Sequence, residues 1–131
     1  MVRIDIETTK KIEMIDITKE VRRVIKESQI TKGVCHIYIP HTTAAVTINE
    51  NTDPNVKLDI LRELDRVIPP DKDYLHKEGN AAAHIKTSII GSSETIFIEN
   101  EKLVLGTWQS IFFCEFDGPR NRDVLIKVIK E

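Results

Sequence analysis

The chain predicts a single α+β domain: mainly antiparallel β-sheet, with two longer helices and one short one. Several stretches alternate apolar and polar residues with period two, as half-buried strands do. Two others place apolar residues at helical spacing, and an alanine-rich run lies between a long polar loop and a glycine. No repeat, linker or low-complexity segment interrupts residues 1–131, so they form one unit.

The elements follow in order. VRIDIET and KIEMIDI alternate on either side of a short TK break and predict an opening hairpin. In DITKEVRRVIKESQI, Thr18 is placed to cap a helix with Val21, Val24 and Ile25 on one face. GVCHIYIP and TAAVTINE predict a second strand pair. Asp53-Pro54 starts the next helix, the carboxylate capping and the proline taking the first helical position. Its stripe is Ile60, Leu61, Leu64, Val67 and Ile68, and Pro69-Pro70 ends it. PPDKDYLHKEGN is a polar loop of functional length. NAAAHIKTSII predicts the short helix, with Asn80 as cap and Gly91 as stop. ETIFIEN, KLVLGTWQ, SIFFCEFD and, after a GPRN turn, DVLIKVIK read as strands.

Hydrophobic residues make up 40% of the chain and charged residues 31%, as in soluble globular proteins. A net charge of −2 supplies no broad attraction to nucleic acid or an anionic membrane. MVRIDIETTKKIEMI is charged throughout and lacks a secretory apolar core, and no apolar run approaches the roughly 20 residues of a membrane span. The expectation is a cytoplasmic protein without nucleic-acid or membrane partners. Cys35 and Cys114 lie in apolar strand contexts outside any CxxC spacing and are expected to be core thiols.

Alternation separates the faces of HTTAAVTINE: His41, Thr43, Ala45, Thr47 and Asn49 on one, Thr42, Ala44, Val46, Ile48 and Glu50 on the other. The first is polar without formal charge apart from the histidine. GTWQSIFFCEFD repeats the arrangement with Thr107, Gln109 and Glu115, interrupted by Ile111 and Phe113. Such faces suit either a ligand pocket or a wet subunit contact. Of four histidines, His36 alternates with Val34 and Tyr38 and is expected to be packed. His41, His76 and His84 open the polar face, sit in the long loop and lie on the short helix. Converging, they could hold Zn²⁺ with one position open, or act as general acid–base groups. EGNAAAHIK offers free N–H groups at a helix start beside Lys86, and Arg120 offers a planar fork for phosphate. An ordinary cap with two solvated cations is the competing reading. Asp53 is explained by capping, and Asp59 and Glu63 by a solvated helix face. Glu50 and Asn51 end the polar strand where a turn could project them into a cleft, and Glu50 could pair with Glu115.

HTTAAVTINENTDPNVKLD, YLHKEGNAAAHIKTSIIGSS and LGTWQSIFFCEFDGPR, in that order, resemble the YjbQ-type family, whose members are often called secondary thiamine-phosphate synthases. The resemblance implies an α+β fold packed as a homotrimer. It implies a pocket drawing His41, Thr42, Thr43, Asn49, Glu50, Asn51 and Asp53 from the first block. The second block adds His76, Glu78, Gly79, His84, Lys86 and Ser88, and the third Gly106, Thr107, Trp108, Gln109 and Glu115. The associated activity joins a hydroxymethylpyrimidine diphosphate to a thiazole phosphate and releases pyrophosphate.

The expectation is therefore an enzyme acting on a small phosphorylated heterocyclic metabolite, with thiamine-phosphate synthesis as a side reaction. His41, His76 and His84 would surround a divalent metal (Zn²⁺ or Mg²⁺) or a catalytic water. Glu50 or Glu115 would be the acid–base group, and Thr43, Asn49, Asn51, Asn80, Lys86, Thr107 and Gln109 would orient substrate. The alternative is a non-catalytic metal- or metabolite-binding module with the same pocket.

Overall fold

The computed structural model describes residues 1–131 as eight strands and three helices. In chain order they are β1 (Val2–Glu7), β2 (Glu13–Asp16), α1 (Thr18–Ser28), β3 (Gly33–Tyr38), β4 (Ala44–Glu50) and α2 (Pro54–Val67). There follow α3 (Ala81–Ile90), β5 (Ser93–Glu99), β6 (Lys102–Leu103), β7 (Gln109–Glu115) and β8 (Asn121–Lys130). Every strand pairing is antiparallel, in a five-stranded sheet ordered β1-β8-β3-β5-β6 and a three-stranded sheet ordered β2-β7-β4.

The two sheets enclose the main core with α1. Val21, Val24 and Ile25 meet Cys35, Ile37, Ile98, Val124 and Ile126 from the larger sheet, and Ala44, Val46, Ile111 and Phe113 from the smaller. A second cluster lies on the other face of the small sheet, where Ala45, Phe112, Cys114 and Phe116 pack with Ala83 of α3 and Ile60, Leu61 and Leu64 of α2. The small sheet is thus buried on both faces, which explains why SIFFCEF is nearly continuously apolar. The free thiols of Cys35 and Cys114 are both buried, and desolvation pushes them up to about 11 and about 12.

Both expected hairpins are absent. β1 pairs with β8, and β2 with β7 in the other sheet. β3 pairs with β5 and β8, while β4 pairs with β7. Alternation identifies strands, but partners are chosen by which buried faces fit. KLVLGTWQ contributes only Lys102–Leu103 and its last residue, Gln109, as strand, so Thr107 and Trp108 precede β7. His36 is exposed rather than packed, its Nδ1 lying 3.0 Å from Thr95 Oγ1 on the adjacent strand.

Caps divide similarly. Asp53 accepts the Asn55 N–H at 2.9 Å, with Pro54 in the first turn of α2. Gly91 ends α3 at φ 102. Thr18 instead lies inside α1: its hydroxyl accepts the Ile111 N–H at 2.8 Å, while Asp16 accepts its own N–H at 2.9 Å. Asn80 occupies the cap of α3 but makes no side-chain cap bond.

Candidate functional site

The site grows from an arginine on the inward face of β8. Arg122 shares parity with Val124, Ile126 and Val128, so the strand that fills the core also drives a guanidinium inside. A buried charge must be paired. Arg122 (4% exposed) meets Glu115 (0%) at the end of β7, with Nε to Oε1 at 2.9 Å and Nη2 to Oε2 at 2.5 Å. Glu115 also accepts the Thr8 hydroxyl at 2.7 Å and the Asp117 N–H at 3.0 Å. Burial alone would raise the Glu115 carboxyl, but its hydrogen bonds and Arg122 outweigh that and hold it below the usual range. Arg122 Nη2 reaches back to the Thr43 hydroxyl at 2.8 Å, tying β8 to the segment entering β4.

Asp117, in the turn between β7 and β8, is a second hub. It accepts from Lys11 Nζ at 2.7 Å, Asn80 Nδ2 at 2.9 Å and Arg120 Nη2 at 3.0 Å. Desolvation opposes the charge, yet these donors bring its carboxyl down to about 2. The bond to Asp117 uses Asn80 Nδ2, while Asn80 Oδ1, the atom that would cap α3, is buried without a partner.

Three segments bring His41, His76 and His84 to one open cleft of about 510 Å³, lined also by Pro40, Thr42, Thr43, Glu78, Asn80, Asp117, Arg120 and Arg122. All three histidines border this cleft, and only His76 and His84 have their rings in contact. The His76 and His84 rings are edge-on, with centroids 5.2 Å apart, and His76 Nε2 lies 3.8 Å from Glu78 Oε2. Both rings also border an adjacent groove of about 520 Å³ walled by Tyr74, Leu75, Ala81 and Ile85. His41 Nε2 accepts the Asp123 N–H at 2.9 Å, which assigns its ring proton to Nδ1. Burial, reinforced by nearby Arg122, lowers its pKa and favours the neutral ring.

Nowhere do three or more His, Cys, Asp or Glu side chains gather closely enough to hold a metal ion. With His41 Nε2 occupied by a backbone N–H, the donor set within the chain does not fit the three-histidine Zn²⁺ site expected from the sequence.

The remaining expected site residues do not line this cleft. Glu115 stands behind it, enclosed by its partners. Asn49 Oδ1 accepts the Glu50 N–H, and Glu50 lies opposite Gln109 in the sheet register. Asn51 donates to Asp16 at 2.8 Å. Gln109 accepts the Gly106 N–H at 2.7 Å and closes the loop containing exposed Thr107. Lys86 is buried (3% exposed), pairs with Asp65, and lines a separate cavity of about 230 Å³. Sequence reasoning missed Arg122, Asp117, Lys11 and Thr8. An arginine on the apolar parity of β8 was a readable signal, whereas the other three gain significance only through distant partners.

The family model described as "UPF0047 protein YjbQ-like" matches residues 2–131. The chain is 54% identical over 127 residues to the UPF0047 protein YugU of Bacillus subtilis, covering 96% of each chain. It is 52% identical to a UPF0047 protein of Methanocaldococcus jannaschii, covering 95% of this chain and 90% of that one. A crystal structure of an uncharacterized conserved YjbQ/UPF0047 protein from Clostridium acetobutylicum superimposes with TM-score 0.97 at 51% identity, over 98% of this chain and 100% of the other. A YbjQ-like protein of unknown function from Sulfolobus solfataricus gives TM-score 0.95 at 33% identity, over 99% and 96%.

Proposed function

The chain belongs to the YjbQ-like UPF0047 family, and from that premise we propose an acid–base enzyme acting on a small phosphorylated heterocyclic metabolite. The observation that carries the reading is that His41, His76 and His84 line one cleft whose other walls are mainly polar and charged side chains. Its volume suits a metabolite rather than a polymer.

Imidazole is the side chain whose ordinary titration falls nearest neutrality, so it can take or give a proton at physiological pH. His76 and His84 serve as the proton-transferring pair, with the Glu78 carboxylate 3.8 Å from His76 Nε2. His41, held as the Nδ1–H tautomer by the Asp123 N–H, serves as a hydrogen-bond donor. The groove beyond the histidine pair, with Tyr74, Leu75 and Ile85, receives the heterocycle and places the reacting bond near the imidazoles. Joining a hydroxymethylpyrimidine diphosphate to a thiazole phosphate is the first reaction to assay, as a side activity of this site.

The protein works as a homotrimer in this reading. Tyr38, Phe97 and Ile129 on the outer face of the five-stranded sheet, together with Trp108, provide exposed apolar surface for association.

The test is turnover of phosphorylated heterocycles by wild type, His76→Ala and His84→Ala. Each variant should lose about a hundredfold or more in kcat while keeping the wild-type melting temperature. Activity equal to wild type in both variants sinks the reading. Saturable binding without turnover by wild type favours the non-catalytic metabolite-binding module.

A further inference from the structure

We propose that Arg122 and Arg120 form the phosphoryl-binding end of the cleft, a dianion subsite between His41 and Asn80, and that the helix start beside Lys86 plays no part in it. The proposal rests on reading the cleft as a metabolite site and adds which end of the metabolite lies where.

The first support is the unfinished bonding of Arg122. Its Nε and Nη2 are committed to Glu115 and Thr43. Nη1 enters none of these bonds, nor is it among the enclosed side-chain nitrogens that lack a partner. Arg122 lines the cleft, so this remaining edge is the part that meets it. A guanidinium locked through Nε and Nη2 and open at Nη1 is preorganised to donate from that one nitrogen to a phosphoryl oxygen, and a second arginine supplies the second point of contact.

Arg120 repeats the pattern at the rim. Its Nε donates to the Asp117 carbonyl at 2.7 Å and its Nη2 to the Asp117 carboxylate at 3.0 Å, leaving Nη1 uncommitted. Asp117 therefore acts as a positioning residue, orienting both Arg120 and Asn80 beside the cleft.

Charge placement is the second support. Arg122 is paired with Glu115, and Asp117 is shared between Arg120 and Lys11, whose ammonium lies outside the cleft. The Asp123 carboxylate is drawn off by Arg3, and Glu78 stands exposed at the histidine end. The cleft's two guanidiniums thus stand together while its exposed carboxylate, Glu78, lies beside His76, which favours an anion at the arginine end. His41 Nδ1–H adds a neutral donor close to Arg122.

Lys86 cannot serve the same anion, because its ammonium is buried against Asp65 and beneath the Phe116 ring, facing another cavity. The substrate thus lies with its phosphoryl group at Arg120 and Arg122 and its ring across His76 and His84.

The test titrates the full chain with inorganic phosphate, and separately with acetate at matched ionic strength, while following arginine Nε–H signals by NMR. Phosphate should move the Arg120 and Arg122 signals saturably, and acetate should not. Arg120→Gln should weaken phosphate binding about tenfold while the chain stays folded, since that side chain is half exposed and Lys11 and Asn80 still hold Asp117. Lys86→Gln and His76→Ala should bind phosphate as wild type does. The proposal is overturned by an equal response to acetate, by unchanged binding in Arg120→Gln, or by shifts centred on Ala81, Ala82 and Lys86. Phosphate held at the arginines without turnover of any phosphorylated heterocycle supports this subsite and removes only the enzymatic reading.

Discussion

Glu115 and Arg122 stabilise each other only as a pair. Each pays a desolvation cost in the interior that its partner offsets, so removing one leaves an uncompensated buried charge. Glu115→Gln should destabilise the protein by about 3–5 kcal/mol, read as a lower urea midpoint. A loss within about 0.5 kcal/mol of zero would show that Arg122 relaxes into the cleft. Asp117 makes a pH-dependent contribution. Its carboxyl moves from 3.8 to about 2 on folding, so the unfolded chain binds the proton more readily. The associated stability is full above about pH 4 and is lost as pH falls through about 2, as the linkage relation requires. With Lys11 largely exposed, the contribution is roughly 1–2 kcal/mol. Asp117→Asn should therefore lower stability at pH 7 and flatten its decline between about pH 4 and 2, measured by urea unfolding across that range.

At the scale of elements, the readable features were those set by neighbours in the chain. Asp53-Pro54 specifies the start of α2 because a cap needs only the next few N–H groups. Asp53→Ala should cost about 1 kcal/mol. Strand partners were not readable in this way. The β1 and β2 stretches alternate alike, yet enter different sheets, because register and pairing depend on which faces complete the core. Gly33 marks one such long-range constraint: a Cβ there would lie 2.1 Å from the Ile129 carbonyl oxygen of β8. Gly33→Ala should destabilise by about 1–3 kcal/mol, visible as a lower melting temperature, because backbone on the neighbouring strand cannot yield as a side chain would. At the site, His41, His76 and His84 were legible as rare titratable residues in polar surroundings. Arg122 escaped notice because its importance comes from Glu115, Thr8 and Thr43, all remote in sequence.

The whole molecule presents a closed core and an open sheet face. The outer side of the five-stranded sheet carries Phe97, Val34 and Ile129 side by side, with no helix of this chain covering them. The homotrimer proposed from the family resemblance predicts a solution mass of about 45 kDa, three times 15.0 kDa, by light scattering. A mass near one chain at micromolar concentration would refute the homotrimer. No helix is long and apolar enough to cross a membrane. By itself the sequence determined the α+β class, the capped start of α2 and the family, since these follow from local periodicity, capping chemistry and ordered motifs. Only the tertiary structure decided the sheet partners, the diversion of Lys86 to Asp65, and the buried network behind the histidines. Those depend on contacts between distant residues, where the cost of enclosing a charge selects its partner.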